Sequence, residues 1–286
     1  MDSTSQTVEL QGGVAVITGA ASGIGEAMAR YAASQLQMKV VLADIDESGL
    51  ERVALDLSGQ GHEVLPVVTD VADAVSMDQL AAATLSRFER VHLLLNNAGI
   101  ETLGWSWEIP AEQWHKILSI NIHGVVHGVR AFAPAMVASG VPCIIANLSS
   151  IAGISIAPLQ TSYVMSKHAV LAFSECLHLE MAMKNTKVQV SAVLPGPVKT
   201  GIFSALDETE DPDVRQHLQD MVNPLDRNGM SAGQAAETIF AQLAAGEFWV
   251  STHPEITRTM AAQRAEHLAN LQTPGMHVDS AFNTPD

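Results

Sequence analysis

A hydroxyl, a phenol and an ammonium occur close together in this chain, as Ser150, Tyr163 and Lys167. The residues from Leu159 onward predict a helix of about seven turns, on which positions four apart share a face. Tyr163 and Lys167 should therefore be neighbours. The ammonium, with a smaller contribution from the helix N-terminus, should lower the pKa of the phenol from ~10 toward neutral pH. This is the chemistry of proton transfer, although the Tyr-x-x-x-Lys spacing by itself is more typical of a surface pair.

Three glycines follow a short apolar run near the N-terminus. Residues 14–17 predict a strand and residues 26–36 a helix, with glycines at 19, 23 and 25 between them. Such a turn lets the backbone approach a ligand, and the following helix directs its N–H groups at a pyrophosphate. The spacing G-x-x-x-G-x-G differs from the common dinucleotide pattern, so a simple strand-to-helix turn stays open as the alternative.

A carboxylate ends the second predicted strand. Asp44 closes the apolar run 40–44 and lies 19 residues after Gly25. This is near the ~20-residue interval at which an acidic residue meets the ribose of a bound dinucleotide. A solvated aspartate at a strand end is the alternative, and the position after the second strand favours the ribose.

Strands and helices continue to alternate along the chain. The further predicted helices span 46–58, 73–88, 111–139, 159–184, 232–245 and 254–272, and the further strands 63–68, 91–95, 143–148, 188–194 and 248–250. Strands separated by helices imply right-handed crossovers and a parallel sheet, with the ligand at the carboxyl ends of the strands. Gly19, Asp44 and Asp70 should meet at that edge, and the later strands should deliver residues 96–99, 149–150 and 195–200 to it.

Three other segments carry functional expectations. Trp105 and Trp107 occupy a loop that should line either an apolar pocket or a subunit contact. The long connection 201–231 is typical of a lid or binding loop. His123 and His127 share a helix face but lack a third ligand or a His-Glu-x-x-His pattern, which favours packing over metal binding.

The composition limits the classes of partner. Fifteen basic against 31 acidic residues give a formal charge of −16, which disfavours nucleic acid and anionic membranes. No apolar run reaches the ~20 residues of a membrane span, and residues 1–11 do not resemble a targeting signal, so we expect a cytoplasmic protein. Cys143 and Cys176 should be reduced, buried packing residues.

The motifs together resemble the short-chain dehydrogenase/reductase family over residues 8–250. They are Thr18-Gly-x-x-x-Gly-Ile-Gly25, Asn96-Asn-Ala-Gly99, Asn121, Ser150, Tyr163-x-x-x-Lys167 and Pro195-Gly196. The resemblance implies one doubly wound Rossmann-type α/β domain with seven parallel strands and helices on both faces. Residues 1–253 would form the catalytic domain, and residues 254–286 a helix and tail that extend it. It also implies a nicotinamide cofactor and hydride exchange with an alcohol or carbonyl.

The same resemblance implies residue roles. Tyr163 would be the general acid/base, Lys167 would lower its pKa and hold the nicotinamide ribose, Ser150 would bind the substrate oxygen, and Asn121 would position a relay water. The residues implied at the cofactor are Gly19, Ser22, Gly23, Ile24, Gly25, Asp44, Ile45, Asp70, Val71, Asn97, Ala98, Gly99, Tyr163, Lys167, Pro195, Gly196, Val198 and Thr200.

Cofactor choice is predicted from Asp44. Its carboxylate would repel the 2′-phosphate of NADP, and Ser22 and Ile45 stand where NADP-preferring relatives usually carry a cation. We therefore expect NAD, with no nearby cation to offset the charge.

The substrate and assembly are predicted less directly. We expect an apolar, cyclic or aromatic secondary alcohol or ketone, because apolar side chains should rim the crevice: Trp105, Leu159, Phe203, Leu206 and Met221. By the same resemblance, the long helices 111–139 and 159–184 should pair in a homodimer or homotetramer. A non-catalytic NAD-binding sensor or scaffold and a dehydratase or epimerase on the same fold are the alternative functions.

Overall fold

The computed structural model describes residues 8–206 and 210–275. Its strands are β1 (Val14–Thr18), β2 (Lys39–Asp44), β3 (Val64–Val68), β4 (Leu93–Asn96), β5 (Cys143–Leu148), β6 (Val188–Leu194), β7 (Val198–Lys199), β8 (Met230–Ser231) and β9 (Trp249–Ser251). Its α-helices are α1 (Gly23–Ser34), α2 (Glu47–Gly59), α3 (Ala74–Phe88), α4 (Ala111–Leu118), α5 (Gly124–Ser139), α6 (Thr161–Met183), α7 (Pro212–Asn228), α8 (Ala232–Ala244) and α9 (Pro254–Ala269).

Seven parallel strands form the main sheet, in the order β3-β2-β1-β4-β5-β6-β9. The predicted doubly wound α/β fold is thereby confirmed. The chain leaves β1 toward one edge and returns at β4 toward the other, so the crossovers diverge between these two strands. In such sheets the divergence opens a crevice at the carboxyl ends, which is where ligands bind.

The sheet is buried on both faces because alternate residues of each strand point in opposite directions. In β1, Ala15 and Ile17 belong to a core formed with α1, α2 and α8. Val14 and Val16 belong to the opposite core, formed with α3, α5 and α6. The inner strands are consequently mostly apolar, with Gln189 and Ser191 of β6 among the exceptions.

Two long helices differ in detail from the prediction. Leu159 adopts a left-handed φ of +64°, and α6 starts only at Thr161. The predicted helix 111–139 is interrupted by a π-helical turn, Ser119–His123, that contains Asn121. A π turn rotates the following residues out of the α-helical phase, and such turns are frequent at functional sites.

The connection 201–231 is more ordered than predicted. It contains a 3₁₀ segment, Gly201–Leu206, and the four-turn helix α7, whose buried residues include Val214 and Leu218. Strands β7 and β8 pair in parallel and close the two ends of this connection. Residues 207–209 and the predicted tail after residue 275 lie outside the described residues. The division of the domain at residue 253 stays a prediction.

The cysteine prediction is half wrong. Cys143 is buried in β5, where loss of solvation raises the pKa of its thiol to about 11. Cys176 is exposed, because it lies on the side of α6 turned away from the sheet. It is flanked by Glu175 and Leu177, and a helix exposes one side whatever the local composition.

Within residues 8–206 and 210–275, no helix combines the length and apolar character that a bilayer span requires. No cluster of three metal-ligating side chains occurs there either. His127 instead contacts the carbonyl oxygen of Val71 through Nδ1 at 3.0 Å, which links α5 to the loop after β3.

A buried amide network fixes how closely α5 packs on the sheet. Asn96 Nδ2 donates to Asn147 Oδ1 at 2.8 Å, and Asn147 Nδ2 donates to Ser174 Oγ at 3.0 Å. A Cβ atom at Gly128 of α5 would overlap the Asn96 side chain. The glycine therefore allows the helix to approach the polar network that joins β4, β5 and α6.

We predict that Gly128→Ala lowers the free energy of unfolding by about 2 kcal/mol or more, because overpacking and loss of a buried hydrogen bond combine. The matched control is Gly59→Ala at the end of α2, where a Cβ meets nothing within 4 Å. Urea titrations of both variants test this. An unchanged midpoint for Gly128→Ala would show that α5 does not pack as described.

Candidate active site

A cavity of about 1400 Å³ opens at the carboxyl edge of the sheet. Its wall includes every residue that the sequence predicted at the cofactor, together with Ser150. Asn121 is the one predicted site residue that does not line it. The tertiary structure thus gathers residues from six segments between positions 19 and 200 around one space.

The glycine turn is shaped for close approach. Gly19 and Gly23 have φ values of +66° and +56°, which favour glycine. A Cβ at Gly25 would overlap the carbonyl oxygen of Gly19 and the Asn97 side chain. The bare backbone forms a concave cradle at the start of α1, and this fits a pyrophosphate, which binds backbone N–H groups at helix N-termini.

Thr18 and Asn97 brace the cradle from behind. Asn97 Nδ2 donates to the carbonyl oxygens of Thr18 (2.8 Å) and Gly19 (3.2 Å). The Thr18 hydroxyl accepts from the backbone N–H groups of Asn97 and Ala98. The side chain of Asn97, predicted only at the cofactor, therefore also holds the ends of β1 and β4 together.

Asp44 lies at the cavity edge, where backbone N–H groups orient both of its carboxylate oxygens. Oδ2 accepts from Ala21 N at 2.9 Å and Oδ1 from Asp46 N at 3.0 Å. One cation reaches this turn from α2, since Arg52 donates to the Ala21 carbonyl at 2.8 Å. The expectation that no cation offsets the charge of Asp44 stays a prediction. Arg52 is also paired with Glu26 at 2.6 Å, which balances its charge. Thirty-one residues separate Arg52 from Ala21, so the spacing along the chain did not reveal the contact.

Strand β5 and helix α6 bring the three candidate catalytic groups together. Lys167 is buried, donates from Nζ to Leu148 O at 2.9 Å and lies 5.5 Å from the Tyr163 ring centroid. Ser149 Oγ donates to the Lys167 carbonyl at 2.8 Å. Ser150 Oγ accepts from Ala152 N at 3.1 Å and is hydrogen-bonded to the Tyr163 phenol. The predicted Ser150, Tyr163 and Lys167 set thus converges on the cavity.

Asn121 lies behind this set. Its amide is bonded in both directions to the Ile100 backbone at 2.9 Å, and Nδ2 also donates to Ser166 Oγ at 3.0 Å. A Cβ at Gly99 would lie 3.4 Å from both Asn121 Oδ1 and Lys167 Nζ. Asn121 of the π turn therefore links the loop after β4 to α6. Its role in positioning a relay water stays a prediction.

Burial, more than the ammonium, sets the protonation of the phenol. Loss of solvation raises the pKa of Tyr163, the charge of Glu101 raises it further, and the Ser150 hydrogen bond opposes both. Burial lowers the pKa of Lys167 to about 8, against the influence of Glu101. The expected lowering of the Tyr163 pKa is therefore wrong for the protein without ligand, because a low-dielectric site disfavours phenolate and ammonium alike.

Glu101 is the ionisable group that sequence reasoning missed. It lines the cavity, is only 7% exposed, and accepts from Thr102 N at 3.1 Å and Gln160 Nε2 at 3.4 Å. Burial raises the pKa of its carboxyl to about 8. Its position two residues after Gly99, near the carboxyl end of a strand, could have indicated a site residue. Nothing in the sequence showed that its side chain faces the cavity.

The apolar part of the wall differs from the predicted one. Phe203 and Met221 line the cavity as expected, whereas Trp105 and Leu159 do not, and the Leu206 side chain lies outside the described residues. Trp105 stacks on the exposed Trp107 at 5.2 Å and donates to Asp211 Oδ2 at 3.2 Å, so it holds the start of α7.

Helix α9 covers the far side of the cavity. Five of its residues, three or four positions apart, line the space: Met260, Gln263, Arg264, His267 and Leu268. They form one helix face, yet α9 buries no residue. The sequence predicted this helix without assigning it to the site.

Comparisons with known proteins agree with this geometry. A family model described as short chain dehydrogenase matches residues 13–211. A CLA biosynthesis dehydrogenase/reductase from Lactiplantibacillus plantarum is 30% identical over 93% of this chain and 96% of its own length. A 1-deoxy-11-beta-hydroxypentalenate dehydrogenase from Streptomyces avermitilis is 30% identical over 90% of both proteins.

One solved structure is similar over nearly the whole chain. It is a short-chain dehydrogenase/reductase from Burkholderia phymatum in complex with NAD, with 35% identity and a TM-score of 0.90. The superposition covers 95% of this chain and 99% of that one.

We predict that Glu101→Gln stabilises the protein in a pH-dependent way. The folded-state pKa of Glu101 lies above its unfolded value of ~4.3, so unfolding releases a proton and the wild type loses stability as pH rises between these values. The stability advantage of Glu101→Gln should be near zero below pH ~4 and grow by about 1.4 kcal/mol per pH unit up to pH ~8.

Urea titrations from pH 4 to pH 8 measure this difference. The control is Glu108→Gln, which makes the same change at an exposed position of the same loop and should show no such growth. A difference that does not vary with pH would contradict the raised pKa of Glu101.

Proposed function

This chain belongs to the short-chain dehydrogenase/reductase family, and we propose that it is an NAD-dependent oxidoreductase that interconverts an apolar secondary alcohol and its ketone. The observation that carries the proposal is the convergence of Ser150, Tyr163 and Lys167 on the cavity that holds the glycine cradle. A dinucleotide-binding scaffold would need the cradle but not a buried phenol, hydroxyl and ammonium beside it.

The residues of this chain account for the proton movements of such a reaction. Oxidation of an alcohol requires loss of its hydroxyl proton, and reduction of a ketone requires gain of one. Tyr163 lines the cavity and holds a proton on its phenol oxygen, which it can donate during reduction of a ketone. In the direction of oxidation the phenol must first lose this proton, and the phenolate then accepts the hydroxyl proton of the alcohol. Ser150 bonds the phenol and can orient the substrate oxygen beside it.

The bound nicotinamide would supply the hydride acceptor or donor. The cradle of Gly19, Gly23 and Gly25 would hold the pyrophosphate, and Asp44 the adenosine ribose. The Asp70–Val71 and Asn97–Gly99 segments would lie along the adenosine, and Val198 and Thr200 at the carboxamide. Lys167 is close enough to Tyr163 to hold a positive charge near the phenol. The nicotinamide ribose would occupy the part of the cavity that Lys167 lines.

The cavity wall supports an apolar substrate, cyclic or aromatic. Beyond the catalytic set it presents apolar side chains from three segments: Ile156, Phe203, Met221, Leu225, Met260 and Leu268. Against these six side chains the hydroxyl groups of a polyol would find no partners, and unpaired buried polar groups are costly. Gln263, Arg264 and His267 of α9 are polar residues of the same wall. One relative of this chain is named as a dehydrogenase of a hydroxypentalenate.

A panel of alcohols and ketones tests the function. We expect NADH formation with hydrophobic cyclic or aromatic secondary alcohols at higher kcat/KM than with polyols at equal concentration. Faster turnover of polyols would overturn the substrate class. Dinucleotide binding without any turnover would favour the sensor or scaffold, and conversion without net redox change would favour a dehydratase or epimerase.

We predict that Tyr163→Phe lowers kcat by at least ~100-fold while dinucleotide affinity stays nearly unchanged, because only the proton carrier is lost. Lys167→Ala should lower both kcat and dinucleotide affinity, since Lys167 lies 5.5 Å from the Tyr163 ring centroid and would hold the nicotinamide ribose. Steady-state kinetics and fluorescence titration with NADH separate the two effects. Residual activity above a few per cent in folded Tyr163→Phe would contradict the acid/base role.

The preference for NAD rests on Asp44. Its carboxylate is oriented at the cavity edge, and the neighbouring Ile45 is exposed and uncharged. The nearby Arg52 is balanced by Glu26, so it does not offset repulsion of a 2′-phosphate. Two like charges a few ångströms apart cost several kcal/mol, which amounts to about a hundredfold or more in affinity.

We predict that Asp44→Ala combined with Ile45→Arg narrows or inverts the preference for NAD over NADP. The first change removes the repulsion and the second supplies a cation for the phosphate. The ratio of kcat/KM for the two dinucleotides measures the effect. Equal kcat/KM values in the unmodified protein would show that Asp44 does not discriminate.

We propose self-association through α4–α5 and α6. Helix α6 buries residues against the sheet and also exposes Met165 (44%), Leu179 (62%) and Met183 (86%) on its outer side. Val137 of α5 is 40% exposed. Exposed apolar side chains grouped on neighbouring helices are typical of a subunit contact, here a homodimer or homotetramer.

We predict that Leu179→Glu reduces the molar mass measured by light scattering at micromolar concentration, because it places a charge in the contact. Leu55→Glu is the control, since Leu55 is equally exposed but lies on α2 at the other face of the sheet. A monomeric unmodified protein would contradict the assembly.

A further inference from the structure

Buried Glu101 and Lys167 form an ionisable cluster with half-buried Tyr163, and the proposed reaction uses this cluster only in part. All three line the cavity, and Glu101 and Lys167 are 7% and 5% exposed. The charge of Glu101 acts on both of the others. The proposed proton transfer assigns roles to Tyr163 and Lys167 and leaves the carboxyl without one.

The loop that carries Glu101 is fixed to the start of α6. Gln160 Nε2 donates to Glu101 Oε2, Gly104 N donates to Leu159 O at 2.8 Å, and Ser106 Oγ donates to Thr161 Oγ1 at 2.7 Å. These contacts join the carboxyl to the same helix that holds Tyr163 and Lys167. Glu101 therefore cannot turn to solvent when it ionises without breaking them.

The order in which the cluster loses protons follows from its environment. Burial opposes ionisation of both acids, but the pKa of Glu101 stays far below that of Tyr163. As pH rises, Glu101 therefore loses its proton before Tyr163 does, and the first negative charge near Lys167 lies on the Glu101 carboxylate. Removal of a second proton, from the phenol, then creates two like charges in one dry site.

The remaining ionisable groups of the described cavity wall do not enter this cluster. They are Asp44, Asp70, His217, Asp220, Arg264 and His267, and none of them contributes to the pKa shifts of the three. Within residues 8–206 and 210–275, the other polar partners of the three side chains are Thr102, Gln160, the Ser150 hydroxyl and the carbonyl oxygen of Leu148.

We propose that Glu101 is a positioning residue for the proton: its carboxylate keeps the proton on Tyr163 to higher pH and so extends the alkaline range of ketone reduction. The catalytic part of this inference rests on the proposed function. The electrostatic part does not, because it concerns the phenol alone.

The electrostatic part is testable without turnover because the chain contains only two tyrosines, Tyr31 and Tyr163. In a Tyr31→Phe background, replacement of tyrosine by the more acidic 3,5-difluorotyrosine places one fluorine label at position 163. Fluorine NMR then follows its ionisation at a pH where circular dichroism shows the protein folded. Glu101→Gln should move the midpoint down by about one pH unit or more.

Glu108→Gln is the matched control, since it removes one negative charge from an exposed position of the same loop and should leave the midpoint unchanged. An unchanged or higher midpoint in Glu101→Gln overturns the proposal. An equal decrease in both variants also overturns it, because the effect would then be one of net charge.

The catalytic part is tested with unlabelled protein, NADH and the panel ketone that is reduced fastest. The alkaline decrease of kcat/KM should begin about one pH unit lower in Glu101→Gln than in wild type and Glu108→Gln. Coincident profiles overturn the proposal. If no ketone is reduced, the proposed function fails, and the fluorine titration still decides whether Glu101 controls the phenol.

Discussion

The attachment of α6 to the end of β5 is the constraint on which the site depends. The Lys167 ammonium donates to Leu148, and the Ser149 hydroxyl donates back to the Lys167 carbonyl. Further along the helix, Ser174 closes the amide network of Asn96 and Asn147. Contacts at both points fix the rotation of α6, so Tyr163 is directed at the cavity with little freedom to move. Preorganised groups of this kind lower the cost of placing a substrate correctly.

The same close packing makes it costly to place a charge in the site. A low-dielectric environment disfavours every ionised form, which explains why Tyr163, Lys167 and Glu101 all shift toward neutrality. The charge of Glu101 acts on both Tyr163 and Lys167, so ionisation of this carboxyl affects the other two groups. A buried acid beside a buried lysine is not needed for stability alone, since an apolar pair of similar size often makes the folded protein at least as stable.

The glycine cradle at the carboxyl edge of the sheet shows how a chain with a net negative charge can form a binding site for an anion. The cradle offers backbone rather than charged side chains, and Asn97 holds it open from the neighbouring strand end. Asp44 lies beside it, and the nearby Arg52 is paired with Glu26. In the proposed function, selectivity against an extra phosphate would come from the Asp44 carboxylate, whereas affinity would come from the shape of the backbone.

The sequence by itself determined the parallel sheet, the strand ends that meet, and the residues that line the cavity, because hydrophobic periodicity and glycine spacing are local signals. Local signals did not place Asn121 behind the site, bring Arg52 to Ala21, expose Cys176, or turn Trp105 away from the cavity. Each depends on the phase of a helix or on partners distant in sequence. Only the tertiary structure decided the protonation of the site, since the pKa of Tyr163 and the position of Glu101 depend on burial, which three-dimensional packing alone sets.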